Sequence, residues 1–246
     1  MLEDFLSTNR TGIAGEAVDF VIVEKNETEK PLKLDYGIIK GNKTYLLGKT
    51  NSTPSSRLNY GYLLEKAVLK ATDMNLATCW IGAFDKEYFN GIQLENGVTI
   101  PGILVVGYAA KKSSLQDNLI RISIKAAKRK PWNQLFFDYE TILPLEKERI
   151  QQYAEPLEMI RLAPSSGNTQ PWRIFYSTAT NEFHFYKRPT NKSYEAAGMH
   201  DVDMGIAMCH FELASAKNGL EGKWTVSTGN IKSFDGLQYI STWKCK

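Results

Sequence analysis

Residues 61–80, GYLLEKAVLKATDMNLATCW, and residues 205–224, GIAMCHFELASAKNGLEGKW, align without a gap at a separation of 144 residues. Gly61 meets Gly205, Leu69 meets Leu213, Leu76 meets Leu220 and Trp80 meets Trp224. Strand-like VDFVIVE and TYLLG precede the first copy as WRIFYST and FHFYK precede the second, and GILVVGY follows the first as LQYISTW follows the second. Shared order of this kind marks an internal duplication. It requires the chain to build one small unit of strands and helix twice, and it sets the expected halves at 1–138 and 139–246. Between them the polar, Pro-containing DYETILPLEKERIQQYAEP is expected to act as connector, with a helix from Leu145 to Ala163 interrupted at Pro156.

Within the first copy, Leu64, Ala67, Val68, Ala71 and Met74 recur at helical spacing, so 61–80 is expected as helix with capping residues in the preceding SSRLN. EAVDFVIVEK, the two halves of YGIIKGNKTYLLG around a Gly-Asn turn, and PGILVVGYA read as strands. A chain of 246 residues with 43% hydrophobic and 23% charged residues can bury one large core or two small ones. Its 30 basic and 27 acidic residues are scattered, which argues against a nucleic-acid groove or a membrane surface. No apolar stretch is long enough to span a bilayer, and MLEDFLSTNR lacks the layout of a signal peptide, so a cytoplasmic location is expected. Cys79, Cys209 and Cys245 with His184, His200 and His210 show no metal-ligand spacing, and structural or surface roles are expected for all six.

The copies are unequal, and the inequality points to where chemistry sits. PSSGN occurs only in the second half, inside APSSGNTQPW (163–172), and TCWIGAFD only in the first. The polar knot runs straight into apolar Arg173-Ile174-Phe175-Tyr176, so its groups are held at the edge of a core, as a ligand site requires. It also reads as a helix-ending turn with Pro171 blocking further helix, and the two readings can both hold. If the halves pack about a pseudo-two-fold axis, each supplies a different wall of one cleft.

PSSGNTQPW followed by a strand, NLATCWIGAF, VVGY and KRKPW together resemble the flavin-dependent nitroreductase superfamily, and most closely its branch with both halves of the usual dimer fused in one chain. The likeness runs from about Val18 to Trp224. It implies an α+β nitroreductase-like fold of two pseudo-symmetric halves, each a β-sheet with packed helices. It also implies FMN as cofactor, NAD(P)H as co-substrate and a small-molecule electron acceptor such as a nitro compound or quinone. The chain would be a monomer with an internal pseudo-dimer, or a weak homodimer. By this resemblance Ser165, Ser166 and Asn168 line the FMN site with Pro164 and Gln170 in support, and a backbone N–H of Gly82 or Ala83 approaches flavin N5. Arg129, assisted by Lys128 or Lys130, holds the phosphate, although Lys125–Lys130, KAAKRK, also reads as a solvated helix face. The family's opening helix of closely spaced arginines has no match here, where Arg10 stands alone. The alternative is a flavin-binding protein without turnover.

Overall fold

The computed structural model describes residues 1–25, 32–34, 37–38, 44–89, 92, 94–109, 127–190, 192–226 and 231–246. The chain divides into two compact units, Met1–Ala127 and Lys128–Lys246. The division falls before the expected 138/139 because β9 (Phe136–Asp138) pairs in parallel with β10 (Trp172–Ser177) of the second unit. The expected connector is likewise folded into that unit, with Leu145, Ile150 and Tyr153 buried.

The first unit runs α1 (Leu2–Thr8), β1 (Phe20–Glu24), β2 (Lys33–Leu34), β3 (Gly37–Ile38), β4 (Thr44–Gly48), β5 (Thr50–Asn51), α2 (Pro54–Asp73), β6 (Ala77–Ile81), β7 (Val98–Thr99) and β8 (Ile103–Gly107). Its main sheet has the order β1-β4-β8-β6, antiparallel throughout, and β2-β3 and β5-β7 form two small ladders. Alternate residues Tyr45 and Leu47 of β4 and Ile103 and Val105 of β8 share one buried face with Ile81, Leu32, Phe89 and Ile100, as the period of two in a strand dictates. Tyr60 ties α2 to the sheet: its buried hydroxyl donates to Gly102 O at 2.6 Å and accepts from Gly48 N at 3.2 Å. Burial pushes that phenol well above its ordinary value. The Gly-Asn turn expected at Gly41-Asn42 lies outside the described residues.

The second unit continues with α3 (Ala154–Leu162), β11 (Glu182–Lys187), α4 (Lys192–Ala196), α5 (Met199–Lys217), β12 (Gly222–Thr225) and β13 (Gln238–Cys245). Its sheet order is β12-β13-β11-β10-β9, and neighbouring strands along β10-β11-β13-β12 pair antiparallel. Helix, strand, strand, helix, strand, strand therefore occurs twice with the same pairing: α1, β1, β4, α2, β6, β8 and α3, β10, β11, α5, β12, β13. Trp172, Phe183, Phe185, Phe211, Met204 and Cys209 are buried in the core of this unit.

The aligned segments are a helix end, a turn and a strand, and the helix expected over 61–80 is corrected accordingly. α2 starts seven residues earlier, where Thr53 Oγ1 accepts from Ser56 N at 3.2 Å and Pro54 follows as first helical residue, so SSRLN is helix interior and not cap. It ends at Asp73 because Asn75 adopts a left-handed φ of 60° and Leu76 N bonds back to Ala71 O at 2.9 Å. In the second unit Gly219 has φ 71° and Leu220 N bonds Ser215 O at 2.9 Å. Both ends form the left-handed cap with its six-to-one hydrogen bond. Trp80 Nε1 then donates to Glu65 Oε2 at 2.8 Å, and Trp224 Nε1 to Glu212 Oε2 at 2.6 Å. The leucine and tryptophan identities of the repeat thus do the same work twice. Pro156 does not interrupt α3 either: it is the third residue of the helix, where its missing N–H has no partner to lose.

Candidate functional site

APSSGNTQPW leaves α3 with Ala163 at ψ 147°, since the residue before a proline is driven out of the helical region. Ser165 is extended, and Ser166–Asn168 make one 3₁₀ turn. Gly167, Asn168 and Gln170 all have positive φ, of 54°, 55° and 47°. Asn tolerates this region, but a non-Gly residue such as Gln170 is held there at a cost of about 1–3 kcal/mol only when its surroundings dictate it. A Cβ on Gly167 would meet the Tyr194 ring of α4 at 2.8 Å, so glycine is required there for space as well as for φ.

The surroundings are specific. Gln170 N donates to Ser165 Oγ at 2.9 Å, Gln170 Oε1 accepts from Lys130 N at 2.7 Å, and Gln170 Nε2 donates to Asn168 Oδ1 at 3.0 Å. Asn168 Nδ2 donates to Lys128 O at 2.8 Å and Asn168 Oδ1 accepts from Arg129 Nη1 at 3.2 Å. The Arg129 Nε and Nη2 groups donate to Leu162 O at 3.2 and 3.0 Å, closing the last turn of α3, and burial lowers the pKa of that guanidinium. Lys130 Nζ donates to Thr169 O at 2.5 Å and Gln170 O at 3.2 Å. Burial, then the charges of Arg173 and Arg188, depress its pKa to about 8. The structure therefore brings Pro164, Ser165, Ser166, Asn168 and Gln170 together with Lys128, Arg129 and Lys130 in one interlocked knot. Lys125 and Ala126 of the basic run lie outside the described residues. Gly82 and Ala83 belong to the first unit, exposed immediately after β6.

Several participants escape a reading by sequence. Asp203 of α5 accepts from Ser166 N at 2.8 Å and from Ser166 Oγ at 3.1 Å, both on Oδ1. It is 1% exposed, its Oδ2 is buried with no partner, and burial raises its pKa to about 7 against the lowering effect of the two serine bonds, with Asp201 adding to the rise. Beside it Lys187 is buried between Asp201 at 2.7 Å and Glu195 at 2.9 Å. Burial alone would lower the Lys187 pKa, but the two carboxylates raise it. The only signal in the sequence is the polar H-D-V-D at the start of an otherwise apolar helix.

His200 Nε2 lies 2.8 Å from Thr190 Oγ1 and His184 Nδ1 2.9 Å from Thr242 Oγ1, each buried and lowered in pKa by that burial. Cys79, Cys209 and Cys245 form no disulfide, and no group of three or more potential metal ligands occurs among the described residues. Among those residues no helix is long and apolar enough to cross a membrane.

Residues 3–215 match the family model described as "Putative TM nitroreductase", and the chain belongs to that family. The family resemblance carried by PSSGNTQPW is thus borne out over residues 3–215. The crystal structure of tm1586 from Thermotoga maritima MSB8, described as a "putative nitroreductase", is similar over 99% of this chain and 82% of its own, with 19% identity and a TM-score of 0.60, and shares the α+β fold. A nitroreductase family protein, cd3355 from Clostridium difficile 630, covers 54% of this chain and 81% of its own at 16% identity and a TM-score of 0.38. No curated protein matches.

Proposed function

We propose that the protein is a cytoplasmic, FMN-dependent NAD(P)H oxidoreductase of nitroreductase type that passes hydride to nitro compounds, quinones or similar electron-poor small molecules. The observation that carries this reading is the PSSGNTQ loop, held with three left-handed residues by buried Asp203 on one side and the Lys130 backbone on the other. Backbone strain concentrated at one loop is a mark of function.

The residues fit the group. A flavin pyrimidine edge presents carbonyls and ring nitrogens, which ask for short uncharged hydrogen-bonding groups at fixed positions. Ser165 Oγ accepts from Gln170 N and keeps its hydroxyl hydrogen to donate. Asn168 and Gln170 spend their amides on each other and on the Lys128–Lys130 backbone, so their part is to fix the shape of the loop. Pro164 and Ser166 complete the wall. Lys128, Arg129 and Lys130 supply positive charge for the phosphate. Bound FMN would supply the hydride chemistry. The protein would orient the ring, shield it from water and tune its charge, and no side chain need serve as acid or base.

The test is an anaerobic absorption spectrum with added FMN. Binding, bleaching by NADPH or NADH, and recovery on adding a nitroaromatic are expected. A bound flavin that NAD(P)H cannot reduce would instead mark a flavin carrier without turnover.

A further inference from the structure

Ser165 and Ser166 are consecutive and half-buried, and the fold gives their hydroxyls opposite polarity. Ser165 Oγ accepts from Gln170 N at 2.9 Å. A backbone N–H can only donate, so this contact uses a lone pair and leaves the Ser165 hydrogen to donate elsewhere. Ser166 is bound the other way round. Its N and its Oγ lie 2.8 and 3.1 Å from one and the same oxygen, Asp203 Oδ1. Because the Ser166 N–H can only donate, Oδ1 must accept, and any proton on the acid belongs on Oδ2. The Ser166 hydroxyl therefore spends its single hydrogen on Oδ1 whether Asp203 is charged or neutral, and only lone pairs are left on Ser166 Oγ.

Asp203 is 1% exposed, its Oδ2 has no partner, and Lys187 is committed to Asp201 and Glu195. Among the described residues Asp203 makes no ion pair, so its working oxygen serves Ser166 alone, at the cost of burying an acid. A carboxylate accepts at both ends and so cannot offer Ser166 a donor, as an amide turned round would.

We propose that Asp203 is a positioning residue that fixes Ser166 as an acceptor beside the donor Ser165, so that the pair reads a ligand edge on which an N–H adjoins a carbonyl. A sugar hydroxyl donates or accepts as its partner requires and gains nothing from fixed polarity, whereas a ring amide presents one donor and one acceptor that cannot exchange. The pyrimidine edge of the flavin in the proposed function, on which this inference rests, carries both. Its ring N–H is the group matched to Ser166, and the neighbouring carbonyl is the group matched to Ser165.

The probes are FMN and N3-methyl FMN, in which that ring N–H is replaced by N–CH3, each titrated against the full-length protein by flavin fluorescence. The parent should bind FMN at least about tenfold tighter than the methylated form, the loss expected when a desolvated acceptor goes unpaired. Ser166→Ala, which keeps the backbone N–H bond to Asp203, should reduce that ratio below about threefold. Asp203→Ala should reduce it likewise, and Asp203→Asn, with its oxygen held by the Ser166 N–H, should retain it. A loop that is merely loosened weakens both flavins alike and leaves the ratio where it was, so the ratio separates positioning from support. Ser166→Ala carries the test if Asp203→Ala does not fold. Equal binding of the two flavins by the parent, or an undiminished ratio in Ser166→Ala, overturns the proposal and leaves the flavin reading standing. A ratio lost in Asp203→Asn as fully as in Asp203→Ala assigns the effect to the acid's charge and overturns it too. No binding of either flavin sinks the flavin reading itself, and this proposal with it.

Discussion

The segment after α1 and the segment after α3 occupy the same place in two units of the same helix and strand order, and each is bound by the residue at the same position of the long helix. In the first unit that residue is Asn59, whose Oδ1 accepts from Ala14 N at 3.3 Å and whose Nδ2 donates to Glu16 O at 2.8 Å. In the second it is Asp203, 144 residues further on, which accepts twice from Ser166. The neutral amide uses both of its ends. The carboxyl uses one oxygen, buries the other unpartnered and carries a pKa of about 7. The tie is common to the repeat, and the buried acid is particular to the PSSGN half. The cost of burying it has no counterpart where the segment has only to be held, which sets the second unit's loop apart as the one on which the proposed flavin site rests.

The largest effect that separates the two units is expected from Asp203→Ala. It leaves Ser166 N–H without its acceptor and opens space under the loop, a loss of about 2–4 kcal/mol. Asn59→Ala should cost about 1–2 kcal/mol, because part of its network reaches solvent. Denaturant unfolding of the full chain measures both, and equal losses would erase the distinction.

Next comes pH. The Asp203 pKa rises from 3.8 in the unfolded chain to about 7 in the fold, so the native state binds the extra proton between those values. Stability from this group is therefore greatest below about pH 4, falls as pH rises toward 7 and is level above it, and each tenfold difference in proton affinity between the two states is worth about 1.4 kcal/mol. Asp203→Asn keeps an oxygen for Ser166 and should flatten that descent. A pH series of unfolding midpoints that is unchanged in Asp203→Asn would place the titration elsewhere.

Smaller is the glycine comparison. Gly167→Ala meets both a left-handed φ and the Tyr194 ring, and should cost about 2 kcal/mol; Gly15→Ala, at φ 76° with nothing within 4 Å, should cost about 1 kcal/mol. Thermal melts decide it, and the reverse order would mean that Tyr194 yields freely. The smallest effect is a gain: Asn75→Gly gives the first helix end the residue that Gly219 provides in the second, and should stabilise by about 0.5 kcal/mol. Gly219→Asn should lose a similar amount.

That last pair also shows why the repeat was legible and its boundaries were not. Leu76/Leu220 and Trp80/Trp224 recur because the same cap and the same ring-to-glutamate bond follow each helix, so identity survived where geometry demanded it. Asn75 in place of glycine hid the stop, and apolar spacing ran on through the turn into β6. Thr53-Pro54 carried a readable start signal that the apolar periodicity overshadowed. The resemblance implied that Lys128–Lys130 and the PSSGN loop serve one ligand, but the hydrogen bonds that interlock them were not legible. Asp203 reads along the sequence as an ordinary acid in a first helical turn. Burial, which a single sequence does not display, is what makes it exceptional.

The central claim is that the loop after α3, and not its counterpart after α1, holds a flavin. Titrating FMN fluorescence quenching against the parent, Asn168→Ala and Thr11→Ala proteins tests it most directly. The account predicts saturable quenching by the parent, affinity about tenfold weaker in Asn168→Ala and unchanged affinity in Thr11→Ala. No quenching by the parent, or equal affinity in all three proteins, would contradict it.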